Sequence, residues 1–224
     1  IDIEHGEQPM LSKDKRFALI FNGEIYNYIE LRKELESQGF CFRTNSDSEV
    51  LLQLLIHRGE VGVNLLNGMF AFVFHDRQNN TWIAARDHFG IKPLYYITVD
   101  DELIFASEIK ALLVHPKVKA VRDENSLQQY LAFQFCLNER TLFSGVSKIK
   151  PGHYLIGRGA QILRKHCYWE PNYKINNYKT EDYFIGELLA LLQDSIRLQT
   201  RSDVPLGAYL SGGIDSSLIC RLAS

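Results

Sequence analysis

Three pairs of apolar segments, each joined by a short polar turn, place the tightest limit on how this 224-residue chain can fold. The turns fall at residues 77–80 in "RQNN", at residues 100–101 and at residues 157–159. Strand-like runs separated by a few turn-forming residues are typical of antiparallel hairpins. Because helical patterns occur between these hairpins, residues 1–168 are predicted to form a layered α+β domain with antiparallel sheets.

Other segments of this region have the periodicity of single strands or helices. "RFALIFNGEIYN" begins as an apolar strand and is predicted to break at the turn-forming pair Asn22 and Gly23. "YIELRKELESQG" and "TNSDSEVLLQLLIHRG" are predicted helices, each ended by a glycine. "NSLQQYLAF" predicts a short third helix, capped by Asn125 or Ser126.

The composition argues against several classes of function. Hydrophobic residues make up 46% of the chain and charged residues 23%, and the formal net charge is −2 without a basic tract of the kind that binds nucleic acid. No apolar run is long enough to span a bilayer and no signal-peptide layout is present, so a cytoplasmic protein is expected. The four cysteines stand outside any CxxC pair, which argues against a zinc site or a disulfide framework, and they are expected to be small buried side chains.

The pattern changes near residue 170, where "EPNYKINNYKTED" is polar and aperiodic. Residues 169–182 are therefore predicted to be a linker. Thr180 is a good N-cap for a following helix, "PLGAYL" at residues 205–210 is predicted to be a buried strand, and "DSSLICRLA" predicts a last helix. Helix, strand, glycine loop and helix form the opening of an α/β nucleotide-binding domain, predicted over residues 183–224.

The loop "SGGIDSS" between that strand and helix has the chemistry of a phosphate site, without the lysine of a Walker A motif. Gly212 and Gly213 leave room for a phosphate near the backbone, and the N–H groups of the following helix favour an anion there. Asp215 would repel a phosphate unless a hard cation such as Mg²⁺ lay between them. The alternative is a glycine turn in which Asp215 caps the helix.

These residues resemble a known family. "VPLGAYLSGGIDSSLICRLAS" is similar to the pyrophosphate loop of ATP pyrophosphatases, above all that of glutamine-dependent asparagine synthetases. "FNGEIYNYIELRKEL", "NSDSEVLL", "LNGMFAFVFHD", "ARDHFGIKPLYY" and "FASEIKAL" resemble, in the family's order, the class II glutamine amidotransferase domain of the same enzymes. The resemblance implies an N-terminal-nucleophile hydrolase fold, with two stacked antiparallel sheets between helices, followed by the start of an α/β ATP-pyrophosphatase domain.

The resemblance also implies site residues. Asn22 and Gly23 match the family's oxyanion hole, and Glu24 and Asp47 match its glutamine pocket. Taken without the family, Asn22 and Gly23 form a plain turn and Asp47 is a helix N-cap. The implied ATP and pyrophosphate site consists of Leu210, Ser211, Gly212, Gly213, Asp215 and Ser216, with Asp215 reaching a Mg²⁺ ion.

The expected activity is therefore glutamine-dependent synthesis of asparagine from aspartate by way of β-aspartyl-AMP, with ATP and Mg²⁺ as cofactors. The partners implied are these small molecules and neither nucleic acid nor a membrane, and a homodimer is left open. The family's nucleophile is a Cys at the mature N-terminus, and Ile1 cannot replace it because it has neither thiol nor hydroxyl. Both ends of the sequence look cut, so a fragment of a longer protein is expected.

Two alternatives stay open at this point. One is a related ATP-dependent enzyme that amidates another carboxylate, since the amidotransferase half looks alike in both cases. The other is a non-catalytic binding module that keeps the same fold.

A protein made of these 224 residues alone is predicted to release no ammonia from glutamine, because it lacks the family's thiol. Ammonia release by the purified protein measures this. Turnover above a blank, abolished by a thiol-alkylating reagent, would contradict the prediction by showing that another cysteine takes the part of the nucleophile.

Overall fold

The computed structural model describes residues 1–2, 6–175 and 178–224. These residues divide into two compact units, a larger one of Ile3–Glu170 and a smaller one of Ile1–Asp2 with Pro171–Ser224. In the described part of the chain, no helix combines the length and the apolar character that a membrane span requires.

The larger unit is built on two antiparallel sheets. Its strands are β1 (Met10–Leu11), β2 (Phe17–Ile25), β3 (Gly68–Asp76), β4 (Thr81–Arg86), β5 (Tyr95–Val99), β6 (Glu102–Ala106), β7 (Ser147–Lys148), β8 (His153–Arg158) and β9 (Gln161–Cys167). A six-stranded sheet has the order β1-β2-β3-β4-β8-β9, and a three-stranded sheet has the order β6-β5-β7. The antiparallel pairing expected from the sequence is confirmed.

Helices connect and cover these sheets. They are α1 (Tyr28–Ser37), α2 (Asp47–Arg58), a 3₁₀ helix (Gly59–Leu65), α3 (Ile109–Leu112) and α4 (Glu124–Phe133). Helices α1 and α2 pack side by side, and α2 lies against β2. The two long helices predicted from the sequence, each ended by a glycine, are therefore confirmed.

The alternation of side chains along β3 shows how the layers stack. Phe70, Phe72 and Phe74 point to one face, where they form a core with α1 and α2. Ala71 and Val73 point to the opposite face, where side chains of the two sheets meet. Helix α3 packs on the far face of the three-stranded sheet. The unit therefore has the order helix, sheet, sheet, helix, as the sequence led us to expect.

The three predicted hairpins are β3–β4, β5–β6 and β8–β9, and all three are confirmed. Each turn contains a residue with positive φ: Asn80 at 53°, Asp100 at 51° and Gly159 at 53°. Glycine reaches this region freely, and Asn and Asp enter it more readily than most residues. The turn residues therefore fit the geometry that joins each strand pair.

The predicted break at Asn22 and Gly23 is wrong, because β2 continues through both residues to Ile25. Asn22 is paired with Ala71, and Gly23 is paired with Phe70. Asn followed by Gly favours a turn when nothing else constrains the chain. Here the ladder with β3 holds the backbone extended, so tertiary pairing overrides the local preference.

The pairing of Gly23 with Phe70 is a close approach of two backbones. The N–H of Phe70 donates to the carboxylate of Asp87 at 3.2 Å, and the Asp87 N–H donates to the Phe70 carbonyl at 2.8 Å. Phe70 thus directs its backbone groups away from β2, which leaves the closer, non-hydrogen-bonded type of antiparallel pair. A Cβ on Gly23 would lie 2.0 Å from the carbonyl oxygen of Met69. The strand therefore requires glycine at this position.

The smaller unit contains helices α5 (Glu181–Gln199) and α6 (Ile214–Ala223). Both helices are predicted from the sequence, but the buried strand predicted at residues 205–210 is wrong. These residues form no strand and are exposed, with Tyr209 100% exposed. A buried strand takes its hydrogen bonds from neighbouring strands, and the described residues of this unit supply none.

The helix caps test how closely local sequence fixes a helix start. The expected cap of α5 is confirmed, because Thr180 Oγ1 accepts the N–H of Tyr183 at 3.3 Å. The expected caps of α4 are wrong, because the cap is Asp123, whose carboxylate accepts the N–H of Ser126 at 2.7 Å. Asn125 and Ser126 lie inside the helix instead. An aspartate two or three residues earlier offers the same chemistry, so residue type alone does not fix the boundary.

The cysteines are not the buried side chains that were expected. Cys41 and Cys167 are exposed, and Cys136 and Cys220 are half-buried. Cys41 lies in the loop between α1 and α2, and Cys167 ends β9, where its thiol contacts the carbonyl of Trp169 at 3.3 Å. Ends of elements and loops are accessible, which explains their exposure.

Gly23→Ala is expected to lower the free energy of unfolding of the larger unit by about 3 kcal/mol or more, because the new Cβ meets rigid backbone atoms. Gly39→Ala is the matched control: Gly39 also has a positive φ, 90°, but no atom lies within 4 Å of the position that a Cβ would take there. Its cost should stay near the ~1–2 kcal/mol of a left-handed residue. Both tryptophans, Trp82 and Trp169, lie in the larger unit, so urea unfolding followed by fluorescence measures both variants. Equal losses in the two variants would contradict the clash.

Candidate active site

Among the described residues, no strand pairs with β2 beyond Leu19 on the edge that faces away from β3. This open edge carries a row of backbone N–H groups. Phe21 donates its N–H to Gln8 Oε1 at 2.6 Å. Ile25 donates its N–H to Asp47 Oδ2 at 3.0 Å. Alternate residues of a strand turn their N–H groups to the same edge, and Gly23 lies midway between these two donors. The Gly23 N–H therefore points to the open edge, between the Gln8 amide and the Asp47 carboxylate.

Asn22 places a side-chain amide at the same end of β2. The amide Nδ2 lies 3.4 Å from the hydroxyl of Ser107, to which it donates. Both side chains line a cavity of about 190 Å³, together with Gln8 and Leu94. The two donors that the family resemblance assigns to the oxyanion hole thus belong to consecutive residues at the open end of the strand.

Asp47 is the first residue of α2 and not its cap. The cap is Ser46, whose Oγ accepts the N–H of Ser48 at 3.2 Å, so the N-cap interpretation of Asp47 is wrong. Asp47 is only 4% exposed. Burial raises the pKa of its carboxyl, and the hydrogen bond from the Ile25 N–H acts against that rise. A largely buried carboxylate of this kind interacts strongly with a cation that reaches it.

Glu24 follows Gly23 along β2 and is half-buried, opposite Met69 in the strand register. Asp47 lies in the same region because its carboxylate accepts the N–H of Ile25, the residue after Glu24. The structure thus brings all the predicted glutamine-site residues to the end of one strand and the first turn of one helix.

The loop before α2 is held by a carboxylate that sequence analysis missed. Glu49 is 0% exposed, and its Oε2 accepts the N–H of Arg43 at 2.9 Å and the N–H of Thr44 at 2.7 Å. The Thr44 hydroxyl donates to the same oxygen at 2.8 Å and accepts the N–H of Ser46 at 3.2 Å. These bonds fix the start of α2, and with it Asp47. The signal in the sequence is the Ser-x-x-Glu pattern of a capping box at residues 46–49.

A second carboxylate organises the loop after β4. Asp87 is buried, and its carboxylate accepts the N–H groups of Phe89, Ile91 and Lys92 in addition to that of Phe70. The guanidinium of Arg86 donates to carbonyl oxygens of the same loop and of Ile149. These polar side chains bond to backbone groups, so their role is to hold the loop and β3 in place beside Gly23.

The predicted pyrophosphate loop precedes α6 in the smaller unit. Gly212 has a φ of 81°, and no atom of the described residues lies within 4 Å of the position that a Cβ would take there. Gly213 is the N-cap of α6, so the alternative in which Asp215 caps this helix is wrong. The hydroxyls of Ser211 and Ser216 lie 2.9 Å apart. Asp215 is exposed in the first turn of the helix, and Leu210 is exposed as well. The uncapped N–H groups and the open space beside the glycines fit an anionic group such as pyrophosphate.

The loop before α6 offers few side chains that could bind Mg²⁺. Among the residues that the structure describes, no three His, Cys, Asp or Glu side chains form a group that could hold a metal ion. Mg²⁺ is often bound through one or two carboxylates with phosphates and waters completing the shell, so Asp215 fits as a single ligand to a Mg²⁺–pyrophosphate unit.

No cysteine lines the cavity beside Asn22 within the described part of the chain. The cavity is lined by amide and hydroxyl groups of Gln8, Asn22 and Ser107. Sequence reasoning also missed Gln8 and Ser107. Ser107 lies within the quoted segment "FASEIKAL", which could have drawn attention to it, whereas Gln8 lies in no quoted motif.

Comparison with known families matches two parts of the chain. Residues 1–169 match the glutamine amidotransferase domain family. Residues 187–224 match the asparagine synthase family.

The chain is similar to longer curated proteins over its whole length. Asparagine synthetase [glutamine-hydrolyzing] 1 of Bacillus subtilis (strain 168) is 44% identical over 223 residues, which cover 100% of this chain and 35% of that protein. Amidase chry2 of Gibberella zeae is 35% identical over 227 residues, which cover 98% of this chain and 32% of that protein. The chain thus spans about a third of the length of these relatives.

A solved structure agrees with the fold. Glutamine phosphoribosylpyrophosphate amidotransferase of Bacillus subtilis, solved with ADP and GMP, matches with a TM-score of 0.50 at 23% identity, covering 73% of this chain and 32% of that chain. The N-terminal-nucleophile hydrolase architecture, with two stacked antiparallel sheets between helices, is thereby confirmed. The chain belongs to the glutamine amidotransferase domain family, and its residues 187–224 match the asparagine synthase family.

Proposed function

We propose that the protein carrying this chain makes asparagine from aspartate in an ATP-dependent reaction, with ammonia released from glutamine. The observation that carries the proposal is the open end of β2. There the Gly23 N–H points to the open edge of β2, beside the Asn22 amide. The buried Asp47 carboxylate of α2 accepts the N–H of Ile25, which lies two residues after Gly23. The similarity of the whole chain to a glutamine-hydrolysing asparagine synthetase supports the same conclusion.

In the glutamine half-reaction, water converts glutamine to glutamate and ammonia. Negative charge develops on the oxygen of the side-chain amide as the nucleophile attacks. The Asn22 amide and the Gly23 N–H would donate to that oxygen, and one such donor is typically worth about 10²–10³ in rate. Asp47 would bind the α-ammonium group of glutamine, with Glu24 completing the pocket.

In the synthetase half-reaction, the aspartate side chain would attack ATP to give β-aspartyl-AMP and pyrophosphate, and ammonia would then displace AMP to give asparagine. The loop from Leu210 to Ser216 would hold the pyrophosphate with backbone N–H groups and serine hydroxyls. Asp215 would hold a Mg²⁺ ion, which when bound would supply positive charge that offsets the charge of the phosphates. Glutamine, aspartate and ATP are cytoplasmic metabolites, so we propose that the protein acts in the cytoplasm.

A second candidate is the amidation of a different carboxylate. The observation that favours it is the 35% identity with amidase chry2 over nearly the whole chain, because that protein carries a different name at a similar level of identity. The two candidates differ in the acceptor and not in the glutamine chemistry. Incubation of the complete protein with glutamine, ATP and Mg²⁺, first with aspartate and then with other carboxylic acids, separates them by the amide that forms.

Asp47→Asn in the complete protein is expected to lower kcat/KM for glutamine roughly 10- to 100-fold, because hydrogen bonds to charged groups contribute ~1.5–3 kcal/mol. Synthesis with free ammonia should be unchanged. Asp123→Asn is the matched control, since it also neutralises a helix-start carboxylate, at α4, but away from β2. Equal loss of glutamine-dependent and ammonia-dependent synthesis would show that Asp47 has only a structural part.

The pH dependence of glutamine use gives an independent check on Asp47. Burial raises the pKa of this carboxyl, so its ionised fraction falls at a higher pH than for an ordinary aspartate. Because only the ionised form attracts an ammonium, kcat/KM for glutamine should decline as the pH falls through that raised pKa. Asp47→Asn should remove this decline, and a decline that persists unchanged in the variant would assign it to another group.

Asp215→Ala is expected to abolish ATP-dependent amide formation with ammonia as the donor, yet to leave glutamine hydrolysis largely intact. The reason is loss of Mg²⁺–pyrophosphate positioning in the loop before α6. Pyrophosphate release at saturating ATP and Mg²⁺, on protein shown to be folded, measures it. Asp194→Ala, which removes an exposed carboxylate of α5, is the control. If Asp215 merely stabilises the helix by ~1 kcal/mol, the folded variant will release pyrophosphate at a near-normal rate.

A further inference from the structure

Ser107 brings the second sheet into contact with the candidate oxyanion hole. It follows directly on β6, which ends at Ala106, and precedes Glu108, the N-cap of α3. Its hydroxyl oxygen lies 3.4 Å from Nδ2 of Asn22, a residue 85 positions earlier on the six-stranded sheet. Both side chains line the same cavity of about 190 Å³. The end of β6 in the three-stranded sheet is thus in contact with Asn22 of the six-stranded sheet.

The backbone around Asn22 is already fixed by other contacts. On one side of it, Gln8 bonds to both backbone groups of Phe21: Oε1 accepts the N–H at 2.6 Å and Nε2 donates to the carbonyl at 2.7 Å. On the other side, Gly23 is locked against Phe70. The freedom that remains at Asn22 is the rotation of its side chain.

The orientation of the Asn22 amide decides whether it can stabilise an anion. Its two ends are nearly equal in shape, but the N–H end attracts a developing negative charge and the oxygen end repels it. Rotation about the terminal torsion of asparagine is broad, and Asn22 is exposed, so packing does not select one orientation. A hydrogen-bond partner must therefore select it.

We propose that Ser107 is a positioning residue for glutamine hydrolysis, because its hydroxyl accepts one N–H of the Asn22 amide and so keeps the second N–H available for the developing oxyanion. This inference rests on the proposed function. Ser107 contacts the amide and not the substrate, so its removal should affect the rate of the chemical step more than the binding of glutamine.

In the complete protein, Ser107→Ala is expected to lower kcat for glutamine hydrolysis roughly 2- to 13-fold, the effect of about one neutral hydrogen bond, with little change in KM. Ammonia-dependent synthesis should not change. Ser107→Thr keeps the hydroxyl and should recover most of the rate. Ser147→Ala is the matched control, because Ser147 is a half-buried serine of the same three-stranded sheet in β7. A normal kcat in Ser107→Ala would overturn the proposal.

A double-mutant cycle separates positioning from a general structural effect. If Ser107 acts through the Asn22 amide, Ser107→Ala should cost nothing further once Asn22→Ala has removed that amide. The same fold-loss in both backgrounds would overturn the proposal. If the parent protein hydrolyses glutamine and Asn22→Ala impairs it while Ser107→Ala does not, this inference alone falls. If the parent does not hydrolyse glutamine, the proposed function falls with it.

Discussion

The close backbone contact between Gly23 and Phe70 is the constraint on which the candidate glutamine site depends. Asp87 engages both backbone groups of Phe70, so β2 and β3 meet there as a non-hydrogen-bonded pair, and a side chain on Gly23 would collide with Met69. The same geometry turns the Gly23 N–H to the open edge of the sheet. The residue that must be glycine for structural reasons is therefore also the one that would donate its N–H in the proposed reaction.

The groups around that donor come from distant parts of the chain, and each is fixed by its own hydrogen bonds. Gln8 holds the backbone of Phe21, and Asp47 holds that of Ile25. Glu49 ties down the loop that leads into α2, so the buried Asp47 carboxylate keeps its place. The buried side chains around the site accept hydrogen bonds from backbone N–H groups. These bonds hold the few groups that would contact a ligand in fixed orientations.

In the proposed function, the two candidate sites would bind negative charge by the same physical means. At Gly23 the candidate donor is a backbone N–H at a strand edge, and at Gly212 and Gly213 the candidate donors are the N–H groups at the start of α6. Glycine serves both sites because it lets the backbone approach closely. Among the described residues, the hydrogen bonds from backbone N–H groups to buried carboxylates that support a site lie in the larger unit. The loop before α6 is exposed throughout.

The sequence by itself determined the local elements: the three hairpins, the two long helices and the Thr180 cap follow from apolar periodicity and turn chemistry. The motifs determined the family, and they singled out Asn22, Gly23, Glu24 and Asp47. Only the tertiary structure decided that Asn22 and Gly23 extend a strand, because pairing with β3 outweighs the turn preference of the pair. It also decided that residues 205–210 form no strand. It likewise decided that Gln8 bonds to the backbone of Phe21 and that Ser107 bonds to the side chain of Asn22. Contacts between residues far apart in the chain leave no periodic trace in the sequence, since they depend on how whole sheets pack.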